Sequence, residues 1–203
     1  LGLAYVAAVL EKEAIEVQIQ DFLVTKYSKG KLEGKIADFT PEIIGINSVT
    51  MNYPIASKIL KDCKEIDRNI ITVIGGPHVS FQSEEVLRES PWIDIIVRGE
   101  GEYTMLEIAR GKSLKEIDGT AFRENRDIVL TKSRQWIENL DELPSPARHL
   151  FPLSRYRAIS GECGLTTSRG CPFHCIFCVG HKMVGKKGRF RKPKLVVDEL
   201  EEI

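Results

Sequence analysis

Three short apolar runs, separated by amphipathic stretches, constrain the fold of this chain more than any other feature of its sequence. The runs are rich in β-branched residues and are continuous, as is typical of strands buried on both faces. They are IIGI at 43–46, IITVI at 70–74 and IDIIV at 93–97, and a shorter fourth strand is predicted at 17–19. Helical periodicity predicts helices at 53–65, 83–89 and 103–110. This alternation predicts an α/β fold with a parallel sheet covered by helices on both sides.

The loops that follow these predicted strands contain the first candidate site residues. Ligands of open parallel sheets bind at the carboxyl ends of the strands, so the loops are expected to converge at one edge. They carry short polar side chains, a glycine pair and a histidine: Ser48, Thr50, Asn52, Gly75, Gly76 and His78. The glycines permit a close approach of the backbone to a ligand, and a role in tight turns alone is the alternative. Neither GxxxxGK[ST] nor GxGxxG is present, so a nucleoside triphosphate or nicotinamide site is not indicated.

The composition limits the partners and the compartment. Lys+Arg and Asp+Glu both total 29 in 203 residues, so no overall charge favours nucleic acid or an anionic membrane. No apolar run approaches the roughly 18 residues that a membrane helix needs. The five cysteines are odd in number and crowded near one end, which does not fit a secreted disulfide scaffold. A reducing, cytoplasmic location is therefore predicted.

The stretch TSRGCPFHCIFCVG, residues 167–180, contains a CxxxCxxC pattern formed by Cys171, Cys175 and Cys178. A four-iron cluster normally has four cysteine ligands, so three thiolates suit an iron–sulfur cluster with one iron open to a substrate or cofactor. A zinc site is the strongest alternative, with a fourth ligand from Cys163, His174 or His181. A disulfide fits less well, because three thiols in a reducing compartment leave one unpaired.

The remaining segments are predicted to connect elements or to contact solvent. Residues 119–134 predict a β-hairpin with its turn at 124–127, and the proline-rich stretch 138–156 predicts a surface connector. A short strand is predicted at 165–168. The basic run from Lys182 to Lys194 offers contacts to phosphates, but a solvated loop is the preferred interpretation. Cys63 is interpreted as a packing residue and Cys163 as a bystander.

The CxxxCxxC motif, with Phe177 directly before its third cysteine, resembles the signature of radical S-adenosylmethionine (radical SAM) enzymes. By this resemblance, the three cysteines hold a 4Fe-4S cluster whose open iron binds S-adenosylmethionine, and Phe177 lies near the adenine. The resemblance implies reductive cleavage of S-adenosylmethionine to a 5′-deoxyadenosyl radical, which abstracts hydrogen from a small-molecule substrate. It also implies an electron donor such as flavodoxin or ferredoxin.

Four further segments resemble the radical SAM subgroup with an N-terminal cobalamin-binding domain: PEIIGINSVTMN, IITVIGGPHVSF, DIIVRGEGEYTMLEI and LDELPSPARHLFPLSRY. The subgroup includes methyltransferases and ring-forming enzymes similar to the anaerobic oxidative cyclase of bacteriochlorophyll synthesis. It implies a flavodoxin-like doubly wound sheet at 1–118, a hairpin and connector at 119–160, and the start of a partial (β/α) barrel at 161–203. The cobalamin contacts implied by the resemblance are Ser48, Thr50, Gly75, Gly76 and His78.

The chain also departs from the subgroup. The DxHxxG segment that supplies an axial histidine in many cobalamin proteins is not visible, and the loop where it would lie is expected to fall before residue 1. Cobalamin without a protein ligand is therefore one expectation. The chain opens on a helical pattern and closes in mid-helix, so it is expected to be a fragment of a longer enzyme. A tRNA-modifying methylthiotransferase is an alternative, although its first domain would carry three further cysteines. A non-catalytic corrinoid-binding or zinc-binding module is another.

Overall fold

The chain folds into two compact units. The central unit comprises Lys26–Arg134, and the terminal unit combines Leu1–Thr25 with Gln135–Ile203. The computed structural model describes residues 1–22, 24–159 and 164–203, so Cys163, the alternative zinc ligand, lies outside the described residues. The domain limits predicted at residues 118 and 160 describe family domains, whereas the two units are defined by their internal contacts. The predicted limits therefore stay a prediction.

A five-stranded sheet forms the centre of the central unit. Its strands follow one another across the sheet in chain order: β1 Ile43–Asn47, β2 Ile71–Gly75, β3 Ile95–Val97, β4 Thr120–Glu124 and β5 Asp127–Leu130. β1, β2 and β3 are parallel, whereas β4 and β5 form a hairpin that continues the sheet antiparallel to β3. The parallel core and the hairpin predicted from the sequence are both confirmed.

Helices connect the parallel strands and make up much of the terminal unit. Their bounds are α1 Gly2–Lys12, α2 Lys29–Phe39, α3 Tyr53–Ile66, α4 Pro77–Phe81, α5 Ser83–Glu89, α6 Glu102–Ala109, α7 Leu153–Ala158, α8 Gly180–Val184 and α9 Pro193–Glu202. The three helices predicted between the strands correspond to α3, α5 and α6. Within the described residues, no helix combines the length and the apolar character required to span a bilayer.

Two apolar clusters explain why the strand sequences are continuously apolar. Ile74 of β2 packs in one cluster with Leu60 of α3, whereas its neighbour Val73 packs in a second cluster with Ile108 of α6. Successive side chains of a strand point to opposite faces of the sheet, so both faces of β2 are buried. The prediction of helices on both sides of the sheet is therefore confirmed.

The prediction of a strand at 17–19 is wrong, because the structure has no strand at these residues. Val17 and Ile19 instead pack against Ala7 and Ala8 of α1. An alternating apolar pattern buries one face of an extended segment equally well against a helix, without a ladder of backbone hydrogen bonds.

A second, very short sheet lies in the terminal unit. Its strands are β6 Ser168–Arg169 and β7 Arg189–Phe190, which pair antiparallel. β6 lies at the end of the strand predicted at 165–168. Because β6 ends two residues before Cys171 and pairs with β7, this strand pair brackets the cysteine segment.

Glu199 of α9 is a buried acid in the terminal unit. It is 1% exposed and forms ion pairs with Arg148 and with Arg191, which follows β7. A buried carboxylate is costly unless it is paired, and removing one member of such a group leaves uncompensated charge. This cluster therefore ties the connector, the small sheet and α9 together.

We expect Glu199→Gln to lower the free energy of unfolding by about 2 kcal/mol, because two guanidinium groups lose their counter-charge. Urea denaturation followed by circular dichroism measures the change. Glu201→Gln, at an exposed position of the same helix, is the control and should alter stability by less than about 0.5 kcal/mol. Equal losses in the two variants would contradict the assignment.

Candidate functional site

Three loops meet at the carboxyl edge of the parallel strands. Asn47 of β1 pairs with Gly75 of β2, and Gly75 pairs with Val97 of β3, so the three strands end together. The amide of Ser48 donates to the carbonyl of Gly75, with an N···O distance of 2.8 Å, and the Ser48 side chain is fully buried. The predicted convergence of the loops is confirmed.

Ser80 of α4, which the sequence analysis did not single out, joins Gly76 to the loop that follows β3. Its hydroxyl donates to the carbonyl of Gly76, with an O···O distance of 2.8 Å, and accepts from the amide of Gly99 at 3.2 Å. The available signal was its position one helical turn after Gly76, where serine commonly bonds back to the backbone.

Gly76 is required by the backbone at this edge. Its φ is +104°, in a region that side-chain-bearing residues rarely adopt. A Cβ atom at this position would lie 2.3 Å from both the Asn47 Oδ1 atom and the Ser48 carbonyl oxygen. Gly75 differs, because a Cβ there would make only ordinary contacts, the nearest at 3.5 Å from the carbonyl oxygen of Val97.

Polar and apolar side chains lie side by side on the first loop and at the start of α3 and α4. Thr50 Oγ1 and His78 Nδ1 are 3.3 Å apart, and the ring of His78 lies 4.3 Å from that of Tyr53, centroid to centroid. Met51 is 94% exposed and Val49 is 44% exposed. The edge therefore presents a hydrogen-bonding pair next to an exposed apolar surface.

The second candidate site is the cysteine loop, residues 171–185 of the terminal unit, which lies between β6 and β7. Cys171 is half-buried, whereas Cys175 and Cys178 are exposed. The Cys178 amide donates to the Cys175 carbonyl at 3.1 Å, so these two cysteines share one turn. The Gly180 amide donates to the Cys178 Sγ atom at 3.3 Å. Hydrogen bonds to sulfur tune thiolate ligands of iron–sulfur clusters.

Aromatic and apolar side chains of the cysteine loop are open to solvent. Phe177 is 89% exposed and Phe173 is 69% exposed, and Ile176 is fully exposed. The sequence interpretation of the basic run as a solvated segment holds for Lys182 and its lysine neighbours but is wrong for two arginines. Arg189 is 5% exposed and the Arg191 side chain is 7% exposed.

Residues 1–109, more than half of the chain, match the family described as the B12 binding domain. The chain belongs to this family. The match includes the three parallel strands and all three loops at their carboxyl edge. The resemblance to the cobalamin-binding radical SAM subgroup, stated from the sequence, is confirmed by the relatives of this B12-binding chain.

Two curated relatives match almost the whole chain. An uncharacterised methyltransferase of Pyrococcus horikoshii is 38% identical over 205 residues, which cover 98% of this chain and 44% of the relative. The anaerobic magnesium-protoporphyrin IX monomethyl ester cyclase of Cereibacter sphaeroides is 31% identical over 213 residues, which cover 98% of this chain and 34% of the relative. The chain thus spans less than half the length of either protein.

A solved structure shows the same fold. TsrM from Kitasatospora setae, a radical S-adenosylmethionine methyltransferase solved with cobalamin and a 4Fe-4S cluster bound, superposes with a TM-score of 0.79 at 20% identity. The superposition covers 99% of this chain and 42% of TsrM. This likeness confirms the flavodoxin-like fold class expected for a B12-binding chain.

The cysteine loop has the right donors for a cluster but does not present them as a closed metal site. Across the described residues, no three side chains of histidine, cysteine, aspartate or glutamate are grouped closely enough to hold a metal ion. The sulfur donors of Cys171, Cys175 and Cys178 match the thiolate ligands of iron–sulfur clusters. The loop therefore fits a cluster by its donor chemistry and its exposure. The three sulfur atoms would have to come closer together to bind it.

Cys63 differs from the loop cysteines in both position and chemistry. It is fully buried in α3. Burial, reinforced by the negative charge of Asp62, raises the pKa of the Cys63 thiol to about 11. A thiol that stays protonated at neutral pH is a poor metal ligand. Its interpretation as a packing residue is consistent with this environment.

Proposed function

We propose that the protein is a cobalamin-using radical SAM enzyme that transfers a methyl group to a small-molecule substrate or closes a ring in it. The observation that carries this proposal is the combination, in one chain, of the B12-binding family fold with the CxxxCxxC loop. The relatives support both outcomes, because one is named a methyltransferase and another a cyclase.

Cobalamin binds, in this proposal, at the carboxyl edge of the central sheet. Gly76 lets the first two loops pack closely where any side chain would collide with Asn47 and Ser48, so it sets the shape of this edge. The hydrogen bond from the Ser48 amide to the Gly75 carbonyl holds the first two strand ends together at this surface. When bound, cobalamin would itself carry the methyl group that is transferred.

Thr50 and His78 provide polar contacts for the same ligand. Their side chains lie 3.3 Å apart beside the exposed Met51. Ligand sites combine a mostly apolar surface with a few polar groups that set orientation. The apolar part suits the face of a large macrocycle, and the polar pair suits the amide side chains at its rim.

The cluster and S-adenosylmethionine bind at the cysteine loop. Cys171, Cys175 and Cys178 are the proposed iron ligands, and the Gly180 amide orients the third sulfur. Phe177, exposed as it is, offers a ring against which adenine can stack. When bound, the reduced cluster supplies the electron that cleaves the carbon–sulfur bond of S-adenosylmethionine.

The electron has to come from outside the protein. We assign this role to a small redox partner such as flavodoxin or ferredoxin. A cluster with an open iron is stable only under reducing conditions, so the proposed place of action is the cytoplasm. Nucleic acid is not part of the proposal, because the formal net charge is +0.

A tRNA-modifying methylthiotransferase is disfavoured by the central unit. That reaction class would need further cysteines there for a second cluster, and Cys63 is the one cysteine in the sequence between residues 26 and 134. Its thiol is buried and stays protonated. The central unit therefore has no set of thiolates for a second cluster.

The proposal is tested by purifying the full-length protein without oxygen and reconstituting it with iron, sulfide and hydroxocobalamin. We expect about four iron and four acid-labile sulfide per chain, together with corrinoid that survives gel filtration. Iron and sulfide without corrinoid would leave a radical enzyme whose first domain is only a scaffold. Zinc without sulfide would contradict radical chemistry and support a non-catalytic module.

A further inference from the structure

The cysteine loop is closed at its base by contacts that do not involve the cysteine side chains. The Cys171 amide donates to the Gly185 carbonyl, with an N···O distance of 2.9 Å, so the first and last residues of the loop are joined. Gly170 has a φ of +105°, and a Cβ there would lie 2.1 Å from the carbonyl oxygen of Lys187. The two arms of the loop therefore touch through their backbones.

The end of the loop rests on an aromatic side chain of the connector. Gly185 has a φ of +81°, and a Cβ there would lie 3.1 Å from the Trp136 Nε1 atom and 3.2 Å from its Cδ1 atom. The indole therefore supports the residue whose carbonyl holds Cys171. Gly185 follows directly after α8, so it also sets the direction in which the chain returns to β7.

Arg189 of β7 fixes both the loop and the connector. Its Nη1 atom donates to the Ile137 carbonyl at 2.7 Å, and its Nη2 atom donates to the Val184 carbonyl at 2.7 Å. Its guanidinium carbon lies 5.8 Å from the centre of the Trp136 ring. The planar, forked guanidinium is suited to two simultaneous bonds, which a lysine ammonium at one point cannot reproduce.

Arg189 and Cys171 bond to adjacent residues of the loop. The Val184 carbonyl accepts a hydrogen bond from the Arg189 guanidinium, and the carbonyl of the next residue, Gly185, accepts one from the Cys171 amide. Cys171 is also the half-buried member of the motif, whereas the other two cysteines are exposed. The backbone of Cys171 is thus held by the protein before any cluster binds.

We propose that Arg189, supported by Trp136, is a positioning residue that holds Cys171 in place for the cluster. This inference rests on the proposed function, because it assigns a purpose to the closed base of the cysteine loop. Arg189 does not contact the iron; it acts through Val184 and Gly185. Residues that orient metal ligands from outside typically change metal affinity by 10–100-fold when they are replaced.

The first test uses the cluster-free, full-length protein and the alkylation rate of each thiol, followed by peptide mass spectrometry. In the native protein, Cys171 should react more slowly with iodoacetamide than Cys175. Arg189→Met should raise the rate at Cys171 by about tenfold, because the hydrogen bonds that join the loop to the connector through Arg189 are lost. The rate at Cys175 should stay the same, which separates loosening of the base from general unfolding.

Two milder variants cover the case in which Arg189→Met fails to fold. Arg189→Lys retains the charge and one donor, so it should give an intermediate rate at Cys171. Trp136→Phe retains an aromatic surface and should give a smaller increase. Lys186→Met removes a positive charge at the exposed position directly after the loop and serves as the control. Lys186→Met should leave all rates unchanged.

The second test measures the cluster itself. In the reconstituted protein, Arg189→Met should speed the loss of iron to a chelator about tenfold and alter the electron paramagnetic resonance signal of the reduced cluster. Arg189→Lys should recover part of both properties. A role only in overall stability would lower the melting temperature without this order among the variants.

The outcomes separate this inference from the proposed function. If the native protein holds no cluster, the proposed function fails, and the thiol rates still test whether Arg189 holds Cys171. If the native protein holds a cluster and both Arg189 variants match it in thiol rates and iron loss, the positioning role is overturned. A uniform rise of the rates at Cys171, Cys175 and Cys178 would also overturn it.

Discussion

Gly76→Ala is expected to destabilise the central unit and to abolish tight corrinoid binding. The variant would have to place a methyl group 2.3 Å from the Asn47 Oδ1 atom and from the Ser48 carbonyl oxygen, at a φ of +104°. Backbone strain of this kind costs about 1–3 kcal/mol, and the collision with a carbonyl oxygen adds to it. We expect a loss of about 3 kcal/mol in the free energy of unfolding, measured by urea denaturation.

Two neighbouring glycines provide the controls. A Cβ at Gly45 of β1 has nothing within 4 Å, so Gly45→Ala should be neutral or stabilise the protein by about 0.5 kcal/mol. A Cβ at Gly75 would make ordinary contacts only, so Gly75→Ala should fold normally. If cobalamin lies against this edge, Gly75→Ala should still weaken corrinoid binding. Native stability of Gly76→Ala would contradict the backbone argument.

The parallel core could be predicted because the burial of its strands shows directly in the local sequence. Val73 and Ile74 of β2 are buried on opposite faces, so apolar residues follow one another in the strand, and β-branched side chains favour the extended state. α2 could not be predicted in the same way, because only Leu32 and Ile36 of its eleven residues are buried. A helix that buries so little leaves no apolar period to detect.

The candidate residues were predictable to the extent that spacing defines them. The cysteine motif and the glycine pair are short local patterns, and the motif lies in a loop as predicted, whereas Gly75 ends β2 and Gly76 directly precedes α4. Sequence alone did not show that Gly76, rather than Gly75, is the position that tolerates no side chain. That distinction depends on Asn47 and Ser48, which come from another strand and its loop.

Arg189 illustrates the same limit for charge. In the sequence it belongs to a basic run, and such runs are usually solvated. In the structure it is 5% exposed, because carbonyl groups of Ile137 and Val184 accept its donors. Ile137 lies 52 positions away in the sequence, so no local pattern could separate Arg189 from its exposed neighbours.

Cys175→Ala is expected to abolish cleavage of S-adenosylmethionine while leaving the corrinoid in place. Cys175 is exposed on the same turn as Cys178, and a three-cysteine set has no spare ligand to replace it. We expect formation of 5′-deoxyadenosine under reducing conditions to fall by more than about 100-fold. Liquid chromatography of the quenched reaction measures this product, and absorbance of the gel-filtered protein measures retained corrinoid.

Cys63→Ala is the matched control, since it also removes one thiol from the chain. Cys63 is buried in α3 and its thiol stays protonated, so its loss should reduce packing without affecting the cluster. The control should retain iron, sulfide and deoxyadenosine formation. The two variants together assign the loss to a ligand rather than to the number of thiols. Retained deoxyadenosine formation in Cys175→Ala would refute the cluster assignment, because a cluster missing one of three ligands cannot present an open iron in the same position.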